Sequence, residues 1–224
     1  MKYRYNQFNT NEFEAHRLEY DLIKEGSRVL DIGCATGFFA RELRKKHCET
    51  WGVDNNERAL TVAKKHCRKV AVADLDKKIS LPFPKKYFDY VVALDVIEHL
   101  TQPEYVLSAI KAHLKPDGKI IVSTPNIAHA MVRWMLVRGE FEYSDTGILD
   151  KTHVHFYHRR SLAGLLRKEG YRVEKIIPTN GMCKVPFLYK ITDRLPLAWQ
   201  YGLVKLVPDL FAFQFIAVAR VAKR

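Results

Sequence analysis

The chain has 224 residues, of which 47% are hydrophobic and 28% are charged, so it is long enough for one α/β domain with a sizeable core. No apolar run approaches the length of about 18 residues that a transmembrane helix needs, so we expect no such helix. The formal net charge of +12 favours anionic partners such as RNA, phosphorylated metabolites or an acidic membrane surface, although charge-rich helices more often form a solvated face. The start is polar and aromatic rather than of signal-peptide form, and the cysteines lack metal-type spacing, so we expect reduced thiols in a cytoplasmic protein.

The first 26 residues predict a helical leader, because Phe13, Leu18 and Leu22 follow roughly helical spacing. Strands and helices then alternate, with strands at 28–32, 50–54, 69–73, 88–94 and 118–124 and helices at 37–47, 56–67 and 102–114. This alternation predicts a parallel sheet with helices on both faces. After it we expect an irregular stretch at 125–157, a helix at 160–169, a strand at 171–177 and a last strand from Phe211 to Ala222.

A turn with two glycines, Gly33 and Gly37, follows the first predicted strand, and a helix begins directly after it. Glycine suits a turn that bends sharply or approaches a ligand, and the helix start presents free N–H groups there. Acids end the first three strands: Asp54 comes 23 residues after Asp31, and Asp74 comes 20 residues later. Such acids at one edge of a parallel sheet predict a nucleoside pocket, in which Asp54 accepts hydrogen bonds from both ribose hydroxyls.

A nicotinamide dinucleotide site also uses a glycine turn and an acid. Its fingerprint is Gly-x-Gly-x-x-Gly, however, whereas the glycines here are Gly33 and Gly37. The carboxylate of Asp31, just before the turn, would repel a pyrophosphate but can help to hold the ammonium group of a methionine moiety. The residues therefore favour a nucleoside joined to methionine.

The run Asp31-Ile-Gly33-Cys-Ala35-Thr-Gly37 resembles the first motif, Asp-x-Gly-x-Gly-x-Gly, of class I S-adenosylmethionine-dependent methyltransferases, with Ala35 at the middle glycine. The segments 87–100 and 114–122 are similar to the family's fourth-strand motif and to its turn into the fifth strand, so the resemblance covers roughly residues 25 to 180. It implies a Rossmann-like sheet of seven mostly parallel strands, with helices on both faces and a C-terminal antiparallel hairpin. It also implies S-adenosylmethionine as cofactor. The residues that it places around the cofactor are Asp31, Gly33, Cys34, Ala35, Gly37, Asp54, Asn55, Asp74, Leu75, Leu94 and Asp95.

Asp95-x-x-Glu98-His99 resembles an acidic–acidic–His motif of two methyltransferase groups, the small-RNA 3′-terminal 2′-O-methyltransferases and the ubiquinone-pathway O-methyltransferases. In those enzymes the motif holds a divalent ion, and in the RNA enzymes a downstream histidine, here matched by His153, completes the site. This chain departs from the pattern because Asp95 replaces a glutamate and Leu100 replaces a second histidine. Three interpretations stay open: a Mg²⁺, Mn²⁺ or Zn²⁺ site, metal-free activation of the acceptor by His99 or His153, and a purely structural role for these residues.

Two insertions, 125–157 and 178–208, are predicted to form a substrate cap on a single domain that spans residues 1–224. The second insertion is too apolar for a disordered linker, so we interpret it as a packed lid or as a surface that dips into a membrane. Residues 182–224 carry seven Lys/Arg against two acids, which suits an anionic membrane.

The segment Asp150-Lys-Thr-His153-Val-His-Phe-Tyr157 resembles bacterial methyltransferases encoded among glycan- and lipid-modification enzymes. This resemblance implies O-methylation of a sugar, a lipid-linked intermediate or another small-molecule acceptor, in the cytoplasm or at its membrane surface. An RNA 2′-O-methyltransferase is one alternative, although no separate RNA-binding module fits in this length. A non-catalytic S-adenosylmethionine-binding protein is the other.

Overall fold

One sheet of seven strands forms the centre of the computed structural model, which describes residues 8–181, 192 and 194–222. The strands are β1 (Arg28–Ile32), β2 (Glu49–Asp54), β3 (Lys69–Val72), β4 (Phe88–Leu94), β5 (Leu114–Pro125), β6 (Tyr171–Asn180) and β7 (Ala212–Val221). Their order across the sheet is β3-β2-β1-β4-β5-β7-β6, and β7 alone runs antiparallel to its two neighbours. The predicted fold class, a seven-stranded Rossmann-like sheet with a C-terminal antiparallel hairpin, is confirmed.

The helices of the described residues are α1 (Ala15–Leu22), α2 (Phe38–Leu43), α3 (Glu57–Ala63), α4 (Pro103–Ile110), α5 (Ala130–Val137), α6 (Arg159–Lys168), α7 (Leu197–Leu206) and α8 (Pro208–Phe211). Short 3₁₀ turns extend α2 and α4, and a third, Ile97–His99, follows β4. In this part of the chain, no helix combines the length and apolarity needed to cross a lipid bilayer.

The central strands supply two cores because consecutive residues of a strand point to opposite faces of the sheet. Val29, Val92 and Ile121 belong to the core on the side of α1 and α2. Leu30, Val91 and Ile120 belong to the core on the side of α4 and α6. All six are fully buried, as expected for parallel strands that helices cover on both faces.

Several predicted element limits were wrong. The predicted helix 56–67 ends at Ala63, the predicted strand 118–124 already begins at Leu114, and Phe211 ends α8 instead of starting the last strand. The stretch predicted to be irregular, 125–157, contains helix α5. The side chain of His129 caps the start of this helix, because its Nδ1 accepts from the N–H of Met131 at 3.2 Å.

The predicted leader and the second insertion lie partly outside the described residues, which omit 1–7, 182–191 and 193. Within the leader, α1 is helical as predicted. Of the insertion at 178–208, the first three residues belong to β6, and α7 forms most of its second half.

Candidate functional site

The turn between β1 and α2 has a backbone conformation that favours glycine. Gly33 and Gly37 both have a φ of 74°, in the left-handed region where a Cβ is disfavoured. A Cβ on Gly33 would lie 2.6 Å from Cγ2 of Val96, and a Cβ on Gly37 would lie 3.0 Å from Cα of Ala63. Ala35 has a φ of 47°, so it keeps the left-handed conformation at the position where the motif has glycine. The loop therefore retains its shape despite the alanine.

Asp54, at the end of β2, holds this turn in place. Its Oδ2 accepts from the backbone N–H of Ala35 at 2.8 Å, and its Oδ1 accepts from the N–H of Asn56 at 2.9 Å. Each carboxylate oxygen has a second lone pair, so the same side chain can also accept hydroxyl groups of a ligand. The predicted ribose role is compatible with this structural role.

Two clefts lie at the carboxyl ends of the strands, where parallel sheets bind ligands. The first, of about 310 Å³, is lined by residues predicted to bind the nucleoside: Asp54, Asn55, Asp74 and Leu75. The second, of about 430 Å³, is lined by residues that include His16, Phe38, Leu94, Glu98, His153, Phe213 and Gln214. Gly33, Asp95 and His99 line both clefts, so a ligand bound in the first reaches the second at these three residues.

Three residues predicted to bind the cofactor, Asp31, Cys34 and Gly37, line neither cleft. Asp31 is 3% exposed, and its burial together with the charge of Asp54 raises its pKa to about 8. The Sγ of Cys34 packs between Gly52 and Cys67, and burial raises the pKa of this thiol. The thiols of Cys34, Cys48 and Cys67 are free, as predicted.

The carboxylate of Asp95 is held by β5 and β7. Nε2 of Gln214 donates to both of its oxygens at 2.8 Å, and the hydroxyl of Ser123 donates to Oδ1 at 3.2 Å. Sequence reasoning missed Gln214, because only the antiparallel register that pairs Gln214 with Pro125 brings β7 to this edge of the site. No local pattern of the sequence contains that register.

Glu98, His99 and His153, the residues predicted to activate the acceptor directly or through a metal ion, come together at the junction of the clefts. The segment that carries His153 is attached to the 3₁₀ turn after β4, since the carbonyl of Glu98 accepts from the N–H groups of Val154 and His155 at 2.8 and 3.1 Å. The ring centroids of His99 and His153 are 4.8 Å apart. One carboxylate oxygen of Glu98 and one ring nitrogen from each histidine lie within 4.8 Å of one another.

Both histidines are oriented by backbone carbonyls. Nδ1 of His153 lies 3.0 Å from the carbonyl oxygen of Ile148, and Nδ1 of His99 lies 3.2 Å from that of Thr152. The hydroxyl of Thr152, 3.1 Å from the same Nδ1, donates to Asp150 and is therefore also an acceptor for His99. A carbonyl oxygen can only accept, so each Nδ1 carries the proton and each Nε2 of a neutral ring keeps its lone pair. Burial lowers the pKa of His153 and favours this neutral ring.

Glu98 is fully buried, and neither of its carboxylate oxygens has a hydrogen-bond partner among the residues that the structure describes. Burial and the charge of Asp95 raise its pKa well above the usual range. The neighbouring hydroxyl of Thr124 opposes this shift, although its geometry falls short of a hydrogen bond. An unpaired buried carboxylate is costly, so Glu98 is either protonated or in need of a cation.

A family model for a methyltransferase domain matches residues 3–176 of the chain. The ubiquinone biosynthesis O-methyltransferase of Bradyrhizobium diazoefficiens is 33% identical over 133 residues, which are 53% of this chain and 52% of that protein. The protein of the same name from Dechloromonas aromatica is 30% identical over 138 residues, 53% of this chain and 57% of its own. The chain thus spans about half the length of the curated relatives it matches.

Among solved structures, a SAM-dependent methyltransferase from Archaeoglobus fulgidus is similar, with a TM-score of 0.62 and 22% identity. The likeness covers 94% of this chain and 96% of that one. At this identity the likeness concerns the fold.

Proposed function

The chain belongs to the methyltransferase-domain family, as its motifs predict, and from this premise we propose that it transfers the methyl group of S-adenosylmethionine to an oxygen atom of a small acceptor. The observation that carries the proposal is the junction of the two clefts at Gly33, Asp95 and His99. Methyl transfer from a sulfonium is an in-line displacement, so the protein must above all bring the acceptor oxygen and the methyl group together. A cofactor in the first cleft and an acceptor in the second would meet at the junction.

The first cleft supports a specific placement of the cofactor. Asp54 and Asn55 would bind the ribose, and Asp74 and Leu75 would flank the adenine. The methionine end would then lie over the glycine turn, close to Leu94. In that placement the ammonium group approaches the region of the buried Asp31, so that binding favours the ionised form of this carboxyl group.

The second cleft supports activation of the acceptor by His153. An acceptor hydroxyl must lose its proton as the new bond forms, and a neutral imidazole nitrogen can take it. Nδ1 of His153 is held by the carbonyl of Ile148, which leaves Nε2 as the proton acceptor on a side chain that lines the cleft. His99 lines both clefts, so it would lie between the cofactor and His153.

A divalent cation between Glu98, His99 and His153 is a second element of the proposal. The donor set fits such an ion, since it offers two Nε2 lone pairs and a buried carboxylate that has no other partner among the described residues. A bound cation would lower the pKa of an acceptor hydroxyl. Calorimetric titration with Mn²⁺ tests this: binding by the wild type and none by Glu98→Gln is expected, and equal binding by both proteins would refute the site.

The acceptor is proposed to be a sugar, a lipid-linked intermediate or another small molecule. A cleft of about 430 Å³ has the size of a small-molecule pocket, and the rings of Phe38 and Phe213 suit a cyclic acceptor. The relatives named above are O-methyltransferases of ubiquinone biosynthesis according to their names, which supports an oxygen atom as the methyl acceptor. We place the enzyme in the cytoplasm or on the surface of a membrane that presents the acceptor.

The experiment for this proposal measures transfer of radiolabelled methyl groups from S-adenosylmethionine to phenolic, sugar, lipid-linked and RNA acceptors. Product from one of the first three classes, lost in His153→Ala, is expected. Product from RNA alone would favour the RNA methyltransferase alternative, which the net charge of +12 supports. Cofactor binding without any product would favour a non-catalytic binding protein.

A further inference from the structure

Helix α7 is apolar on its outer side as well as on its inner side. Gln200, Tyr201 and Val204 are buried against the body of the protein. Successive helical residues are rotated by about 100°, so Trp199 and Leu206 lie on the opposite side of the helix. A surface helix normally carries polar residues there.

The outer side of α7 and the residue that follows the helix present four large apolar side chains with high exposure: Trp199 (69%), Leu203 (40%), Leu206 (78%) and, directly after α7, Val207 (47%). Single exposed apolar residues are common on protein surfaces, but a contiguous group that includes a tryptophan marks a contact surface. We call these four residues the outer face of α7.

The helix presents this face from a fixed position. The ring of Tyr201 stacks on Phe13 with centroids 4.3 Å apart, and the side-chain oxygen of Gln200 accepts from Nδ2 of Asn180 in β6 at 3.3 Å. Through α8 the helix continues into β7, whose Phe213 and Gln214 line the second cleft. Whatever covers the outer face therefore lies at a fixed position relative to the acceptor site.

The described charged residues beside the outer face are cations. From Arg194 to Pro208 the only charged residues are Arg194 and Lys205, and both are exposed. Asp193, which precedes Arg194 in the sequence, lies outside the described residues. The next acid, Asp209, is paired with Arg159 through two hydrogen bonds of 2.9 and 2.8 Å. Apolar residues with tryptophan, flanked by cations, are the composition of helices that lie in the surface of an anionic bilayer.

The area of the outer face argues against a protein partner. Four side chains on one short helix expose a few hundred Å² at most, whereas each partner in a standard protein interface buries about 800 Å². A membrane surface requires no matching partner area, because the gain grows with each apolar side chain that enters the interface.

We propose that the outer face of α7 docks the protein on an anionic membrane surface, with Trp199 and Leu206 inserted among the lipids and Arg194 and Lys205 facing the headgroups. The inference extends the proposed function, on which it rests for its purpose, since docking there would bring the acceptor cleft to lipid-linked molecules. The docking itself does not require methyl transfer.

The test is flotation of the whole protein with vesicles of phosphatidylcholine alone or of phosphatidylcholine with phosphatidylglycerol. The wild type is expected to bind the anionic vesicles, and more weakly at high salt. The double variant Trp199→Ser/Leu206→Ser is expected to bind at least about tenfold more weakly, because its apolar contact is lost. Arg194→Gln/Lys205→Gln should lose the preference for anionic vesicles. Val62→Ser, which replaces a 42% exposed valine on α3, is the matched control and should bind like the wild type.

Three results would overturn the proposal: no binding of the wild type to anionic vesicles, equal binding by Trp199→Ser/Leu206→Ser, or sedimentation velocity showing a dimer that this variant abolishes. Titration of each variant with S-adenosylhomocysteine without vesicles separates the two proposals. A variant that binds the cofactor but no longer docks has lost only the function of α7. A wild type that docks but does not bind the cofactor would contradict only the assignment of the cofactor cleft.

Discussion

Replacing Asp31 by asparagine removes an ionisable group from beneath the glycine turn while preserving the size of the side chain. Burial and the charge of Asp54 raise the pKa of Asp31 to about 8, whereas its ordinary value is 3.8. Between these two values the folded protein keeps a proton that the unfolded chain has lost. The contribution of Asp31 to the free energy of unfolding therefore falls as the pH rises from about 4 to about 8. Asp31→Asn lacks this dependence.

The size of the effect follows from the pKa. Each pH unit between the unfolded and the folded pKa changes the free energy of unfolding by about 1.4 kcal/mol. Two units, from pH 6 to pH 8, would give about 2.7 kcal/mol, but half of the Asp31 carboxyl groups are ionised at pH 8, so about 2 kcal/mol remains. Groups that titrate elsewhere contribute to both proteins and largely cancel in the difference.

Urea unfolding of the wild type and Asp31→Asn at pH 6, 7 and 8, at constant ionic strength, measures this difference. The wild type is expected to lose about 2 kcal/mol more than the variant between pH 6 and pH 8. Asp74→Asn is the control, because this exposed carboxylate is ionised in both the folded and the unfolded chain over this range. Stabilities of wild type and Asp31→Asn that change in parallel with pH would refute the argument that Asp31 is buried in its protonated form.

The remaining predictions concern the cofactor turn and the acceptor site. Asp54→Ala should weaken S-adenosylhomocysteine binding by roughly 1–3 kcal/mol, because ribose hydroxyls lose their acceptor; unchanged affinity in calorimetry would remove the ribose role. His153→Ala should keep that affinity but lower methyl transfer by about 100-fold or more, and equal turnover would exclude it as the base. Gly33→Ala should lower the melting temperature, because the new Cβ meets Val96 and the positive φ is strained. Adding Val96→Ala removes the contact but leaves the backbone strain of about 1–2 kcal/mol, so it should restore only part of the melting temperature. Full recovery would show that the contact with Val96 alone requires the glycine. Ala35→Gly should be neutral or stabilising by up to about 1 kcal/mol, since relief of strain outweighs the added chain entropy, and a lower melting temperature would contradict the left-handed conformation of Ala35.

The sequence predicted the alternation of strands and helices along the chain and the glycine turn because both depend on local patterns. The run Val91-Val92-Ala93 and its counterparts are apolar at every position, as parallel strands buried on both faces must be. The requirement for Gly33 and Gly37 comes from the turn itself, so their spacing alone marks it.

Features that depend on distant parts of the chain could not be predicted. Gln214 reaches Asp95 only through the register of β7, and Glu19 of α1 is fully buried near Asp95 although its sequence position resembles an exposed helical residue. Helix α5 was missed because Leu136 and Val137 are exposed, which blurs the apolar periodicity of its sequence.

We propose that the cleft beside Gly33, Asp54 and Asp74 binds the methyl donor and opens onto a junction that can hold a divalent cation. Titration calorimetry with S-adenosylhomocysteine, with and without Mn²⁺, tests it most directly. We expect one molecule bound per chain, loss of most of the affinity in Asp54→Ala, and a binding enthalpy that changes with Mn²⁺ only while Glu98 is present. Absence of S-adenosylhomocysteine binding under every condition would contradict the assignment of the cofactor cleft.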